Sequence, residues 1–244
     1  MTKISLTKSM KLNKYVAHAG ITSRRKAVDL IKHGEILVNG KPCTVPYYEV
    51  QEKDVVKYKG KTIKPTTKKI YLLLNKPKNV ISTTSDEKGR KSVIDLAGPF
   101  KENKLFTIGR LDRNTTGLII LTNDGDLTHK LAHPSSSVKK IYHVFLDRKI
   151  IKSDLDNLRK GVKLEDGFIQ PDALNLTKDG SGQELGVELH SGRNRIIRRM
   201  FEHLNYEVVK LDRVYFAGLT KKDLPRGRFR ELTERELIML RHFT

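Results

Sequence analysis

Asp112 lies between two arginines in Gly109-Arg110-Leu111-Asp112-Arg113-Asn114-Thr115-Thr116-Gly117. A carboxylate about 4 Å from a guanidinium gains roughly 4 kcal/mol at an effective dielectric near 20, which favours its ionised form. Such a carboxylate, held still in a basic surrounding, is equipped to attack an electrophilic carbon or to act as a base beside a bound polyanion. The plainer use of the same spacing is a turn in which Asp112 ties Arg110 and Arg113 together. Other spacings carry less. His129 and His133 stand four apart, as metal ligands on one helix face do, but no third ligand or glutamate base accompanies them. They read as surface histidines. Asp112, Asp124 and Asp126 would serve a two-metal nuclease only if they converged with a further acid, and none is evident. Gly60-Lys61-Thr62 lacks the earlier glycine of a nucleotide-binding loop, that position being Val55.

The elements around Asp112 follow from hydrophobic pattern. Leu118 to Leu121 form a short apolar run bounded by Gly117 and Asn123-Asp124-Gly125, the mark of a strand buried on both faces. Ile70 to Leu74 make a second such run, and Lys139 to Leu146 alternate into a third strand. Asp126 is expected to cap a short helix through Leu127 and Leu131 that stops before Pro134. Further strands are predicted at Ala173–Leu176, Glu184–His190 and Glu207–Val214, and a helix at Ser153–Lys160. Ile196, Ile197, Met200, Phe201 and Leu204 form an apolar helical stripe, so Arg193, Arg195, Arg198 and Arg199 read as a four-arginine helix start suited to phosphates. Thr233 and Glu236 make a capping box for a last helix.

The chain carries 48 Lys and Arg against 28 Asp and Glu over 244 residues, a net charge of +20. Charge of that size selects a polyanionic partner. No apolar run is long enough to span a membrane and no apolar signal segment opens the chain, so a cytoplasmic protein is expected. One cysteine, Cys43, excludes an internal disulfide and a cysteine-rich metal site. Residues 1–70 hold 16 of the basic residues and five acids, more than half the net charge in under a third of the length. Leu12, Tyr15, Val16 and Ala19 recur at helical spacing up to Gly20. Ser23 caps a second helix with Ala27, Leu30 and Ile31 inward. Arg24, Arg25 and Lys26 occupy its first turn, where the helix dipole disfavours cations, an arrangement that makes sense if phosphates lie there. Ile36–Val38 with Asn39-Gly40, and Val55–Lys57 with Thr62-Ile63, read as hairpins.

The stretch Gly109 to Leu118 resembles the active-site motif of pseudouridine synthases, in the RsuA/RluB branch that modifies ribosomal RNA. Asn75-Lys76-Pro77-Lys78-Asn79 resembles that family's first motif, with Asn79 where glycine is usual; asparagine tolerates the positive φ. Lys140-Ile141-Tyr142 matches its Lys-x-Tyr. Gly192 to Arg199 matches its arginine-rich motif, with Ile196 in place of the customary glutamine. Lys11 to Tyr15, Ser23 to Ala27 and Val38 to Lys41 resemble the S4 RNA-binding domain. The resemblance covers nearly the whole chain after residue 10.

It implies an α+β protein: a flexible lead-in (1–10), a small S4-like (αL-type) domain (11–64), a linker (65–69), and a catalytic domain (70–244) with a mixed, largely antiparallel sheet flanked by helices. It implies Asp112 as catalytic residue, Arg198 as its ion-pair partner and Tyr142 against the target base. Lys14, Arg24, Arg25, Lys26, Lys76, Arg110, Lys140, Arg193, Arg195 and Arg199 are then RNA contacts. The reaction needs no cofactor or metal. Leu131 to Ser135 and Gly227 to Thr233 lean toward members acting on the large ribosomal subunit, so the expected partner of a monomeric enzyme is that RNA or its assembly intermediate. The rival is a non-catalytic ribosomal-RNA-binding or assembly protein, which the basic N-terminal part alone would support.

Overall fold

The computed structural model describes residues 9–66, 68–83, 86, 88–133, 136–177 and 181–242, and it divides into two compact units that meet at Lys69 and Ile70. The expected lead-in and linker therefore fall in part (1–8 and 67) outside the described residues, as do Pro134 and Ser135.

In the first unit β1 (Met10–Lys11) runs directly into α1 (Leu12–His18), followed by α2 (Arg24–Lys32), β2 (Ile36–Val38), β3 (Lys41–Pro42), β4 (Glu49–Val50), β5 (Val56–Tyr58) and β6 (Lys61–Thr62). Met10 is thus already in a strand, paired with Val50 of β4. The order β3-β2-β5-β6 makes a small antiparallel sheet. Leu12, Val16, Ala27 and Ile31 pack on Ile36, Val38 and Val56 to close its core. Ser23 Oγ accepts from the Lys26 amide at 3.3 Å, capping α2 as its residue type dictates. Arg24, Arg25 and Lys26 are all exposed in that first turn, which carries no acid.

The second unit contains β7 (Tyr71–Lys76), two 3-10 turns (Ile94–Leu96 and Gly98–Asn103), β8 (Phe106–Ile108), β9 (Thr116–Thr122), α3 (Gly125–Ala132), β10 (Lys140–Leu146), α4 (Lys152–Lys160), β11 (Val162–Leu164), β12 (Gly167–Ile169), β13 (Ala173–Leu176), β14 (Glu184–Leu189), α5 (Ile196–Glu202), β15 (Val208–Phe216), β16 (Leu219–Thr220), β17 (Phe229–Glu231) and α6 (Glu234–His242). Among the described residues its main sheet runs β13-β14-β10-β15-β9-β7-β17, with β16 on β15 and β8 on β9. The pairing of β15 with β9 is parallel and the others are antiparallel, so the sheet is mixed.

Helices cover both faces, which explains the unbroken apolar runs of the central strands. Ile119 and Leu121 of β9 face α4, α5 and the 3-10 turns, whereas Leu118 and Ile120 face α3 and α6. Two local expectations are corrected. Asp124, not Asp126, caps α3: its Oδ1 accepts from the amides of Asp126 and Leu127, and its Oδ2 from Tyr71 Oη. That use removes Asp124 from any metal-binding constellation with Asp112. The arginine-rich helix begins only at Ile196, so Arg193 and Arg195 sit on the preceding loop, with Arg195 left-handed at φ 48°. Near Ser92 the chain forms 3-10 turns, stabilised by Ser92 donating to Asp95 Oδ2 through its amide and hydroxyl.

Candidate active site

Asp112 occupies the tight loop between β8 and β9, and four backbone ties hold it. The Thr115 amide donates to the Asp112 carbonyl at 3.1 Å, closing a turn. Ser82 Oγ donates to the Leu111 carbonyl at 2.8 Å and accepts from the Leu111 amide at 3.2 Å. The Asn79 amide donates to the Arg113 carbonyl at 2.9 Å. Asn79 does this at φ 66°, the left-handed conformation its side chain tolerates. Leu111 is buried in the core beside the acid. The Asp112 carboxylate, 36% exposed, stays open to solvent. A hydrogen-bonded turn thus presents an accessible acid, the geometry positioned catalysis asks for.

Two clefts meet at Asp112. One, of about 550 Å3, is walled by the Asp112 loop, by Lys140 and Tyr142 of β10, by Leu211, Arg213 and Phe216 of β15, and by the loop His190 to Arg195. Of the residues lining it, Asp112 is the one acid among six Lys, Arg and Tyr side chains. The second runs past Ser82, Arg90, Arg110, Arg113 and Asn194. The nearest cation to the carboxylate is Arg195, whose Nη1 lies 3.8 Å from Asp112 Oδ2; its Nη2 reaches Glu202 Oε1 at 3.4 Å. Both partners of the Asp112 pair are over a third exposed, which limits the pair to about 1 kcal/mol.

A family profile described as RNA pseudouridylate synthase matches residues 70–203, and the S4 domain profile matches residues 10–56. The chain belongs to the RNA pseudouridylate synthase family. It is 41% identical over 236 residues to a Bacillus subtilis protein named ribosomal large subunit pseudouridine synthase B, covering 95% of each chain. It is 36% identical over 234 residues to the Escherichia coli dual-specificity RNA pseudouridine synthase RluF, covering 95% of this chain and 78% of that one. A solved pseudouridylate synthase shares the fold at a TM-score of 0.68 and 26% identity, covering 95% of this chain and all of that one (100%).

Within this synthase fold, the expected site residues divide by what already occupies them. Tyr142 is 9% exposed and lines the cleft. Arg198 makes no direct pair with Asp112: its Nη1 donates to the Val208 carbonyl at 2.5 Å, tying α5 to β15. Burial and then Arg195 push the Arg198 pKa down, and the charge of Asp112 opposes them. Arg195 therefore takes the contact expected of Arg198. Arg195 stands just before α5 with a left-handed backbone at φ 48°.

Lys76 is a correction. It is fully buried, and its Nζ donates to the carbonyls of Pro77, Val80 and Arg113 at 3.0, 2.7 and 3.3 Å. Burial lowers its pKa to about 8 against the opposing pull of Asp112. It ties the Asp112 loop to the end of β7 through the Arg113 carbonyl and has no exposed surface to offer RNA. Lys140 lines the cleft, but its Nζ donates to the carbonyls of Val138 and His190, and burial takes it to about 8. Arg193 and Arg199 are also committed: Arg193 donates to the carbonyls of Asp166, Gly167 and Phe168, and Arg199 Nη2 to Asp166 Oδ2 at 2.9 Å. They clasp the β11–β12 hairpin against the cleft wall. Arg110 is exposed and borders both clefts. In the first unit Arg24, Arg25 and Lys26 are exposed and Lys14 is half-buried.

The sequence reading passed over Ser82, Thr115 and Arg213.

Proposed function

We propose that this chain converts a uridine of large-subunit ribosomal RNA to pseudouridine, with Asp112 carrying the chemistry and the first unit holding RNA through Lys14, Arg24, Arg25 and Lys26. The observation that supports it most is Asp112, an accessible acid on a pinned turn and, among the described residues, the one acid lining the first cleft. The names of the Bacillus subtilis and Escherichia coli relatives support the RNA class. In this reading the enzyme is a cytoplasmic monomer that acts on ribosomal RNA or an assembly intermediate.

The reaction breaks the N1–C1′ bond of uridine, turns the base, and joins C5 to C1′; the C5 proton leaves and N1 gains one. Nothing is oxidised or hydrolysed, so the balance of the reaction calls for no redox cofactor. Asp112 acts at the sugar, as nucleophile on C1′ or as base, with Arg195 beside it. Tyr142 stacks on the base. A uridine within structured RNA must leave its stack to reach Asp112, at a few kcal/mol. Arg110, exposed and bordering both clefts, contacts the RNA and offsets part of that cost.

The test is tritium release from RNA labelled at C5 of uridine, with wild type and Asp112→Asn. Release by the wild type and none by the variant supports the reading. RNA binding with no release by either protein establishes the non-catalytic binding role instead.

A further inference from the structure

Arg213 is the largest fully buried side chain of the described residues, and no carboxylate pairs with it. Its Nε donates to the Leu118 carbonyl at 2.7 Å, and its guanidinium lies 4.3 Å over the Phe216 ring. Nη2 has no hydrogen-bond partner, and Thr115 Oγ1 in the same cleft wall is likewise buried without one. A buried cation left so incompletely satisfied is disfavoured unless it serves something else. Its position says what. The β10–β15 ladder shifts between Ile141, opposite Tyr215, and Tyr142, opposite Arg213, so Val214 is bulged out. Directly opposed residues of an antiparallel pair point to the same face, and a bulge re-aims the side chains beside it. Arg213 and Tyr142 are thereby set together in the wall of the cleft. The Tyr142 hydroxyl is also the group that favours the charged form of Arg213 against its burial.

A guanidinium offers donors and no acceptor. An oxygen that faces it accepts, so a phenol held there must turn its single proton elsewhere. We propose that Arg213 is a positioning residue that directs the Tyr142 O–H away from the sheet and into the cleft, toward the uracil edge. The inference rests on the proposed synthase reading, in which Tyr142 touches the base.

The experiment is a double-mutant cycle on the full-length protein: Arg213→Met, Tyr142→Phe and both together, read as single-turnover rates at saturating RNA, with affinity and thermal midpoint measured alongside. Met is chosen because an apolar replacement of a buried charge is often neutral for stability. Arg213→Met should slow turnover by about tenfold or more with affinity little changed. The double variant should be no slower than Tyr142→Phe, because the arginine acts through the phenol. Arg213→Lys, which keeps a cationic donor, should recover part of the rate and serves as the cycle partner if Arg213→Met does not fold. A double variant that loses the product of both single effects, or a wild-type rate in the folded arginine variant, overturns the proposal. Wild type and Asp112→Asn run in parallel separate the two ideas: no tritium release by the wild type overturns the synthase reading and release by Asp112→Asn overturns the role of Asp112, whereas an active wild type with a dead Asp112→Asn and additive cycle effects refutes only the role of Arg213.

Discussion

Gly117 offers the sharpest test of how the fold sets the site. It sits at φ +107°, where β9 pairs in parallel with β15. A Cβ there would lie 2.3 Å from the Arg213 carbonyl oxygen, 2.5 Å from the Arg213 nitrogen and 2.7 Å from Asp212 Oδ1. Two of these are backbone atoms of a central strand, so relief requires the β9–β15 pair to separate by about 1 Å. Overpacking of this kind costs about 1–3 kcal/mol, and holding an L-residue in a sparsely populated backbone region costs about 1–3 more. Gly117→Ala should therefore lose about 2–6 kcal/mol, a drop of roughly 5–20 °C in melting temperature for a unit of this size. Gly109→Ala is the control: φ is +71°, yet nothing lies within 4 Å of the added Cβ, so only the backbone term of about 1–2 kcal/mol applies. Urea unfolding of both variants, followed by tritium release at a temperature where each is folded, separates the effects. Equal stability losses in the two variants would refute the claim that close approach of β15 dictates glycine at 117.

Other outcomes follow from the charges. Asp212, 10% exposed, is bonded by Arg226, Lys221 and Thr116 Oγ1, which hold its pKa at about 2 despite burial. Its folded value is below the unfolded one, so its stabilisation is complete above pH 4 and lost as pH falls toward 2; on the order of 2 kcal/mol should separate wild type from Asp212→Asn at pH 7, and the gap should close by pH 2 in acid titrations of stability. Lys76 titrates near 8 when folded against 10.5 in the open chain. Between those values the unfolded state binds the extra proton, so Lys76 makes stability rise with pH by at most about 1.4 kcal/mol per unit, and Lys76→Met should abolish that contribution in urea titrations at pH 7 to 10. Replacing Arg24, Arg25 and Lys26 by alanine should weaken RNA binding and flatten its salt dependence by about 0.7–0.9 in log–log slope per lost phosphate contact. An unchanged slope would remove the first unit from the RNA interface.

Much of this was legible because local chemistry and long-range packing agreed. Leu118 to Leu121 and Ile70 to Leu74 read as doubly buried strands because helices cover both faces, and the Thr233–Glu236 box forms as its spacing requires, with the Glu236 carboxylate also bound by Arg230. What escaped depended on partners distant in sequence. Arg193 and Arg199 look like phosphate ligands until Asp166 and its hairpin, 27 and 33 residues earlier, fold against them. Lys76 looks solvent-bound until three carbonyls, one from residue 113, converge on it. Arg195 and Arg198 differ by three positions, and sequence does not show that Arg198 is taken up by the Val208 carbonyl while Arg195, on the loop before α5, reaches Asp112.

The last strand has a consequence for the life of the nascent chain. β17 pairs with β7 across some 155 residues, and Arg226 joins Asn75 and Asp212. At about 5–20 residues per second, the catalytic sheet cannot be completed until roughly 10–35 s after residue 66 has been translated. The first unit needs nothing beyond that residue to close its core. If the first unit holds RNA as proposed, the protein becomes able to grip its substrate during its own synthesis, well before it is able to change it.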